Sequence, residues 1–234
     1  MTQIAVETTI GAPFEAVWNA LRDPVEIRRW HGWEYDGLGE EIDVIYLRDV
    51  KANREAGTIE FADGSRFDVE PRGSETVVRV TMAAPAGELG WESFYDDIRE
   101  GWVSFVMQLR FALERHPGED RRTLQLDGAG AAPADPGAIG LESAEAPGER
   151  YQGETAWGER WAGEVLFTSD HQTGLTVDGY GPGLVILHAK PPETRPPHGG
   201  GMAIVTTYGL DDDAFAALER RWSSWWREHY PPAR

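Results

Sequence analysis

Residues 93–118, SFYDDIREGWVSFVMQLRFALERHPG, decide the architecture. Ile98, Trp102, Phe105, Val106, Leu109 and Leu113 recur at three- and four-residue spacings, the mark of a helix with one broad apolar face. Ser93 is placed to cap its start, and His116-Pro117-Gly118 supplies a stop. At about 22 residues and roughly 33 Å, such a helix crosses the full width of a small sheet.

The sequence before this helix is patterned for a sheet. Ile4 and Val6 alternate in an opening strand over Thr2–Thr9. Pro13 suits the first position of a helix carrying Phe14, Val17, Trp18 and Leu21. Asp23-Pro24-Val25-Glu26 reads as a second start, with Asp23 as N-cap and Glu26 closing a capping box, and Gly32 permits a stop. Ile42, Val44 and Tyr46 alternate as a strand would. Ile59 and Phe61 face Phe67 and Val69 across an Asp63-Gly64 turn, and Val78, Val80 and Met82 give a further strand after Gly73. The prediction is one antiparallel meander.

The second half follows the same order less cleanly. Strands are expected at 123–126, 163–168, 174–177, 184–188 and 202–208, with loops at 128–148 and at 190–201, the latter rich in Pro and Gly and expected to be mobile. Asp211 then caps a helix with Phe215, Leu218, Trp222, Trp225 and Trp226 on one arc, ended by Pro231-Pro232. Both halves close on an aromatic-faced helix and a proline stop, so an internal repeat is expected, with domains at 1–119 and 120–234 and the second copy degenerate at its front.

Composition narrows the function. Forty Asp and Glu against 22 Lys and Arg give a net charge of −18, which repels phosphate backbones and anionic lipid and excludes a nucleic-acid role. No apolar run reaches about 18 residues, so membrane insertion is not expected. There is no cysteine, hence no disulfide or thiol nucleophile. The first ten residues lack a signal-peptide pattern, and the expected compartment is the cytoplasm.

Strand, two short helices, meander and long helix is the order of the START-like helix-grip superfamily, also called SRPBCC. The words Ile10-Gly11-Ala12-Pro13-Phe14-Glu15-Ala16-Val17-Trp18, Asp23-Pro24 and Trp30 resemble the opening of its branch homologous to activators of the heat-shock chaperone ATPase. Residues 95–113, with Gly101-Trp102, resemble that branch's closing helix. The resemblance covers residues 1–118 by words and 120–234 by architecture. It implies an α+β helix-grip fold, a curved antiparallel sheet wrapped around the long C-terminal helix, in two tandem copies, with a cavity between sheet and helix. It also implies three kinds of role: holding a small hydrophobic molecule, contacting a protein partner, or polyketide-cyclase-like chemistry.

On that arrangement the pocket candidates are Trp30, Trp33, Phe61, Phe67, Val80, Met82, Trp102, Phe105, Val106, Leu109, Trp222 and Trp225. Gln108 or Arg110 would orient a ligand if either points inward. Core packing is the favoured reading of both aromatic stripes, with pocket lining second. His31 is expected to be a solvated histidine between Trp30 and Trp33, although its chemistry would suit an acid or base. Glu92, Asp96, Asp97 and Glu100 fit the positive end of a helix dipole rather than a metal. The histidines show no zinc spacing, and Gly-x-Ser-x-Gly is missing, so neither a catalytic set nor a metal or other cofactor is expected. A binding protein, monomeric or homodimeric, is the resulting expectation.

Overall fold

The computed structural model describes residues 2–83, 91–130, 132–141, 146–193 and 199–232, with the side chains of 2, 3, 83 and 91–97 excepted. The chain divides into two compact units, Met1–Asp120 and Arg121–Arg234. Each is α+β: an antiparallel sheet followed by a long helix laid on one face, the helix-grip arrangement.

In the first unit, β1 (Thr2–Ile10) leads into α1 (Phe14–Arg22), α2 (Pro24–Arg28) and α3 (Leu38–Ile42), which continues into a π-helical turn at Asp43–Leu47. Strands β2 (Lys51–Asn53), β3 (Thr58–Glu60), β4 (Arg66–Arg72) and β5 (Glu75–Ala83) follow, and the sheet order is β1-β5-β4-β3-β2. Ile59 stands opposite Phe67, but Phe61 lies beyond β3 and its N–H donates to Ser65 O at 2.9 Å, so it does not face Val69, whose N–H donates to Gly57 O at 2.7 Å. Asp23 caps α2 as expected, accepting from Val25 N and Glu26 N. Glu26 does not close a capping box; its carboxylate pairs with Arg29. Pro13 is the N-cap of α1 rather than its first residue.

The predicted strand through Ile42, Val44 and Tyr46 is absent. Leu38, Ile42 and Tyr46 are buried at four-residue steps, while Val44 is exposed, so the segment is helical. The closing helix α4 (Trp91–Arg115) has 25 residues, about 37 Å, and begins before Ser93. The acidic side chains of Glu92, Asp96 and Asp97 lie outside the described residues, and Glu100 is buried rather than solvated.

The second unit contains β6 (Arg121–Ala129), β7 (Arg150–Glu154), β8 (Arg160–Thr168), β9 (Gln172–Val177), a 3-10 turn (Asp178–Tyr180), β10 (Gly183–Lys190), β11 (Gly200–Tyr208) and α5 (Asp212–His229). The sheet order is β6-β11-β10-β9-β8-β7, and β7 is the strand the sequence reading omitted. Asp211 caps α5 by accepting from Ala214 N at 2.8 Å. Of the 190–201 loop, residues 194–198 lie outside the described set. No helix among the described residues is long and apolar enough to cross a membrane.

Candidate functional site

Six aromatic rings of the first unit form a closed circuit. Phe67 on β4 meets Trp102 on α4 at 5.3 Å between centroids, Trp102 meets Phe105 at 6.0 Å, and Phe105 meets His31 at 4.3 Å. His31 meets Tyr46 at 5.0 Å, Tyr46 meets Phe61 at 5.9 Å, and Phe61 returns to Phe67 at 5.2 Å. Most pairs are edge-to-face, the geometry that the ring quadrupole favours. The rings come from four places: the turn after α2, the π-helical turn, the β3–β4 region and α4.

Beside this circuit lies a cleft of about 450 Å³, a volume suited to a small organic ligand. Phe61, Trp102 and Phe105 form its aromatic wall. Val44 and Ile45 come from the π-helical turn, Ala62 and Asp63 from the β3–β4 turn, and Ile98 and Gly101 from α4. The extra residue of a π turn re-aims the side chains that follow it. Here Val44 and Ile45 reach the cleft while Tyr46 is driven into the core. Gly101 matters because it is small: a Cβ added there would meet nothing within 4 Å.

Behind Phe105, His31 and Tyr46 are fully buried. This corrects the expectation of a solvated histidine. Tyr46 Oη and His31 Nδ1 are 2.9 Å apart, and His31 Nε2 faces Glu41 Oε1 at 3.5 Å. Burial, then the Glu41 charge, raises Tyr46 well above the usual phenol range, so its hydroxyl stays protonated. In a neutral ring whose Nε2 proton is directed at the Glu41 carboxylate, Nδ1 is left to accept from that hydroxyl. The bond from His31 holds the Glu41 carboxyl below its ordinary value, helped by the Tyr35 hydroxyl, which donates to Oε2 at 2.6 Å. That same bond pushes Tyr35 up to about 12. Both nitrogens of His31 face partners, so the group supports the cleft wall from behind.

The remaining sequence candidates are placed as follows. Trp30 is buried beneath His31, its Nε1 donating to Ala20 O at 2.8 Å, and Trp33 is partly exposed and outside the cleft lining. Val80, Met82, Val106 and Leu109 are core residues. Gln108 is buried, and Arg110 pairs with Glu114 at 3.2 Å.

In the second unit the space between α5 and the sheet is filled by indoles. Trp222 touches Trp157, Trp161 and Trp226, and its Nε1 donates to Tyr180 Oη at 3.1 Å. Trp225 is covered by His229, stacked at 4.1 Å. Glu159 accepts from Trp157 Nε1 and Tyr180 Oη, each at 3.1 Å. Trp222 and Trp225 are buried in the core of this unit. A depression of about 670 Å³ near β7 and β8 has a mixed lining, with Gln152, Glu154, Arg160 and Asp178 beside Trp161 and Ala162.

The first unit has another cleft, of about 420 Å³, with Arg54, Glu55, Asp68, Glu70 and Arg79 in its walls. Four of these charges are paired: Arg54 with Glu15, Asp68 with Arg66, Glu70 with Arg72, and Arg79 with Glu7. Among the described residues no three His, Asp or Glu side chains gather into a metal-binding group. Gly101, Val44, Ile45, Ala62 and Asp63 escaped sequence reasoning; the one available signal was a glycine interrupting the apolar face of an otherwise strong helix.

No family model matches the chain, and no curated protein matches it. Solved structures similar to it include DynU16 from the dynemicin biosynthetic locus, at 15% identity and a TM-score of 0.35, covering 96% of this chain and 94% of that one. The di-domain ARO/CYC BexL from the BE-7585A pathway is similar at 12% identity and a TM-score of 0.36, covering 100% of both chains. The di-domain ARO/CYC StfQ from the steffimycin pathway is similar at 13% identity and a TM-score of 0.34, covering 97% of this chain and 92% of that one. Likenesses this distant leave the site to be judged on its own geometry.

Proposed function

We propose that the first of two repeated helix-grip units binds a small, flat hydrophobic molecule in the cleft beside Trp102, without transforming it. The observation that carries this reading is the cleft itself: about 450 Å³, walled by Phe61, Trp102 and Phe105, with a helix glycine opening the space between them. Apolar walls with one or two polar groups at the edge are what a small-molecule site requires.

Two other roles have less support. Cyclase-type chemistry needs a proton-transferring group facing the ligand, and among the described lining residues that is the rim carboxylate of Asp63, which is engaged by Ser65. His31, the nearest histidine, is fully buried behind Phe105 and faces Tyr46 and Glu41. A protein-docking role needs an apolar patch. The large hydrophobic side chains exposed among the described residues are Ile4, Val25, Tyr35 and Val44, of which Val44 belongs to the cleft.

Gly101→Leu tests the proposal, because its side chain occupies the cleft without meeting a neighbour at Cβ. Leucine also replaces glycine inside a helix, which adds about 0.5–1 kcal/mol of stability. Titration with the neutral dye Nile red should show saturable binding to the native protein and at least tenfold weaker binding to Gly101→Leu. Equal binding by both would refute it.

A further inference from the structure

Among the described residues, Asp63 is the single ionisable side chain in the walls of the cleft. It sits in the turn joining β3 to β4, where Oδ1 accepts from Ser65 N at 2.8 Å and Oδ2 from Ser65 Oγ at 3.0 Å. These bonds hold the carboxylate at the rim without cancelling its charge. Among the described residues no basic side chain pairs with it, and none lines the cleft. The same walls present Phe61, Trp102 and Phe105, aromatic rings whose faces attract cations. A ligand carboxylate or phosphate would meet a fixed negative charge with no basic partner, in a chain whose net charge is −18.

We infer that the cleft selects a flat hydrophobic amine, its rings among Phe61, Trp102 and Phe105 and its ammonium against Asp63, over neutral or anionic molecules of the same shape. The inference rests on the cleft being an apolar binding site and adds the charge of its ligand. A rim ion pair open to water, combined with a cation–π contact, is expected to favour the amine over its neutral analogue by about tenfold.

The test uses three matched probes, 1-naphthylmethylamine, 1-naphthylmethanol and 1-naphthoate, titrated calorimetrically into the full chain at pH 7. The expected affinity order is amine, alcohol, carboxylate. Asp63→Asn keeps a turn-forming side chain and should remove a large part of the amine's preference, the aromatic rings supplying what remains, and leave the alcohol unchanged. Glu75→Gln removes an exposed charge elsewhere and should leave the amine's preference intact, separating the rim carboxylate from the general negative field. Equal affinities for amine and alcohol, or a preference undiminished by Asp63→Asn, would overturn the amine assignment while the apolar cleft stands. If none of the three probes binds, the cleft reading falls and the inference with it.

Discussion

Trp102 and Trp222 are the same residue type on the closing helices of two similar units, yet their surroundings differ. Trp222 is wholly enclosed by other rings, and Trp222→Ala should cost about 3–5 kcal/mol in urea denaturation. Trp102 touches Phe61, Phe67 and Phe105 on one side and the cleft on the other. Trp102→Ala should therefore cost less, about 2 kcal/mol, while removing most of the cleft's affinity. Glu41 supplies the pH dependence. Its carboxyl is held low by His31, so the stabilisation is complete well above its ordinary value of 4.5 and is lost as pH falls through the depressed value. Glu41→Gln should thus be less stable than the native protein at pH 7, and the gap should narrow as pH falls below 4.5 through the depressed value. A gap that does not narrow on acidification would show that the carboxylate charge is not what matters. Tyr46→Phe, which leaves the buried Nδ1 of His31 without its donor, should cost about 1–3 kcal/mol by the same denaturation assay.

At the scale of elements, periodicity was enough for both closing helices, for most strands and for the Asp23 and Asp211 caps. It failed at Ile42, Val44 and Tyr46, because two-residue alternation and four-residue helical spacing agree at the first and third of these positions. Leu38, four residues earlier, was the arbiter, and the exposure of Val44 settles the matter. The aromatic wall of the cleft was legible, since Phe61, Trp102 and Phe105 belong to periodic segments. Its floor and rim were not, because Val44, Ile45 and Asp63 reach it through a π turn and a hairpin turn that leave no periodic signature. The burial of His31 was likewise hidden: its partners Glu41 and Tyr46 belong to a different helical segment, brought over it by tertiary packing. One glycine in the second unit shows how closely its elements meet. A Cβ on Gly128 of β6 would lie 1.9 Å from the carbonyl oxygen of Tyr230, just beyond α5. Gly128→Ala should therefore force the end of α5 off the sheet and lower stability by about 1–3 kcal/mol, measured by thermal or urea unfolding.

For the whole molecule, each unit carries its own sheet, core and closing helix, so residues 1–120 expressed alone should unfold cooperatively and keep the cleft's ligand affinity. Residues 121–234 should fold as well, with indoles filling the corresponding space, and should bind none of the naphthyl probes. That the ligand lies in the cleft of the first unit, and not among the packed indoles of the second, is the account's central claim. Intermolecular NOEs between 1-naphthylmethanol and the full chain test it most directly. Cross-peaks to Phe61, Trp102 and Phe105 are predicted. Cross-peaks to Trp157, Trp222 or Trp225 instead would contradict it.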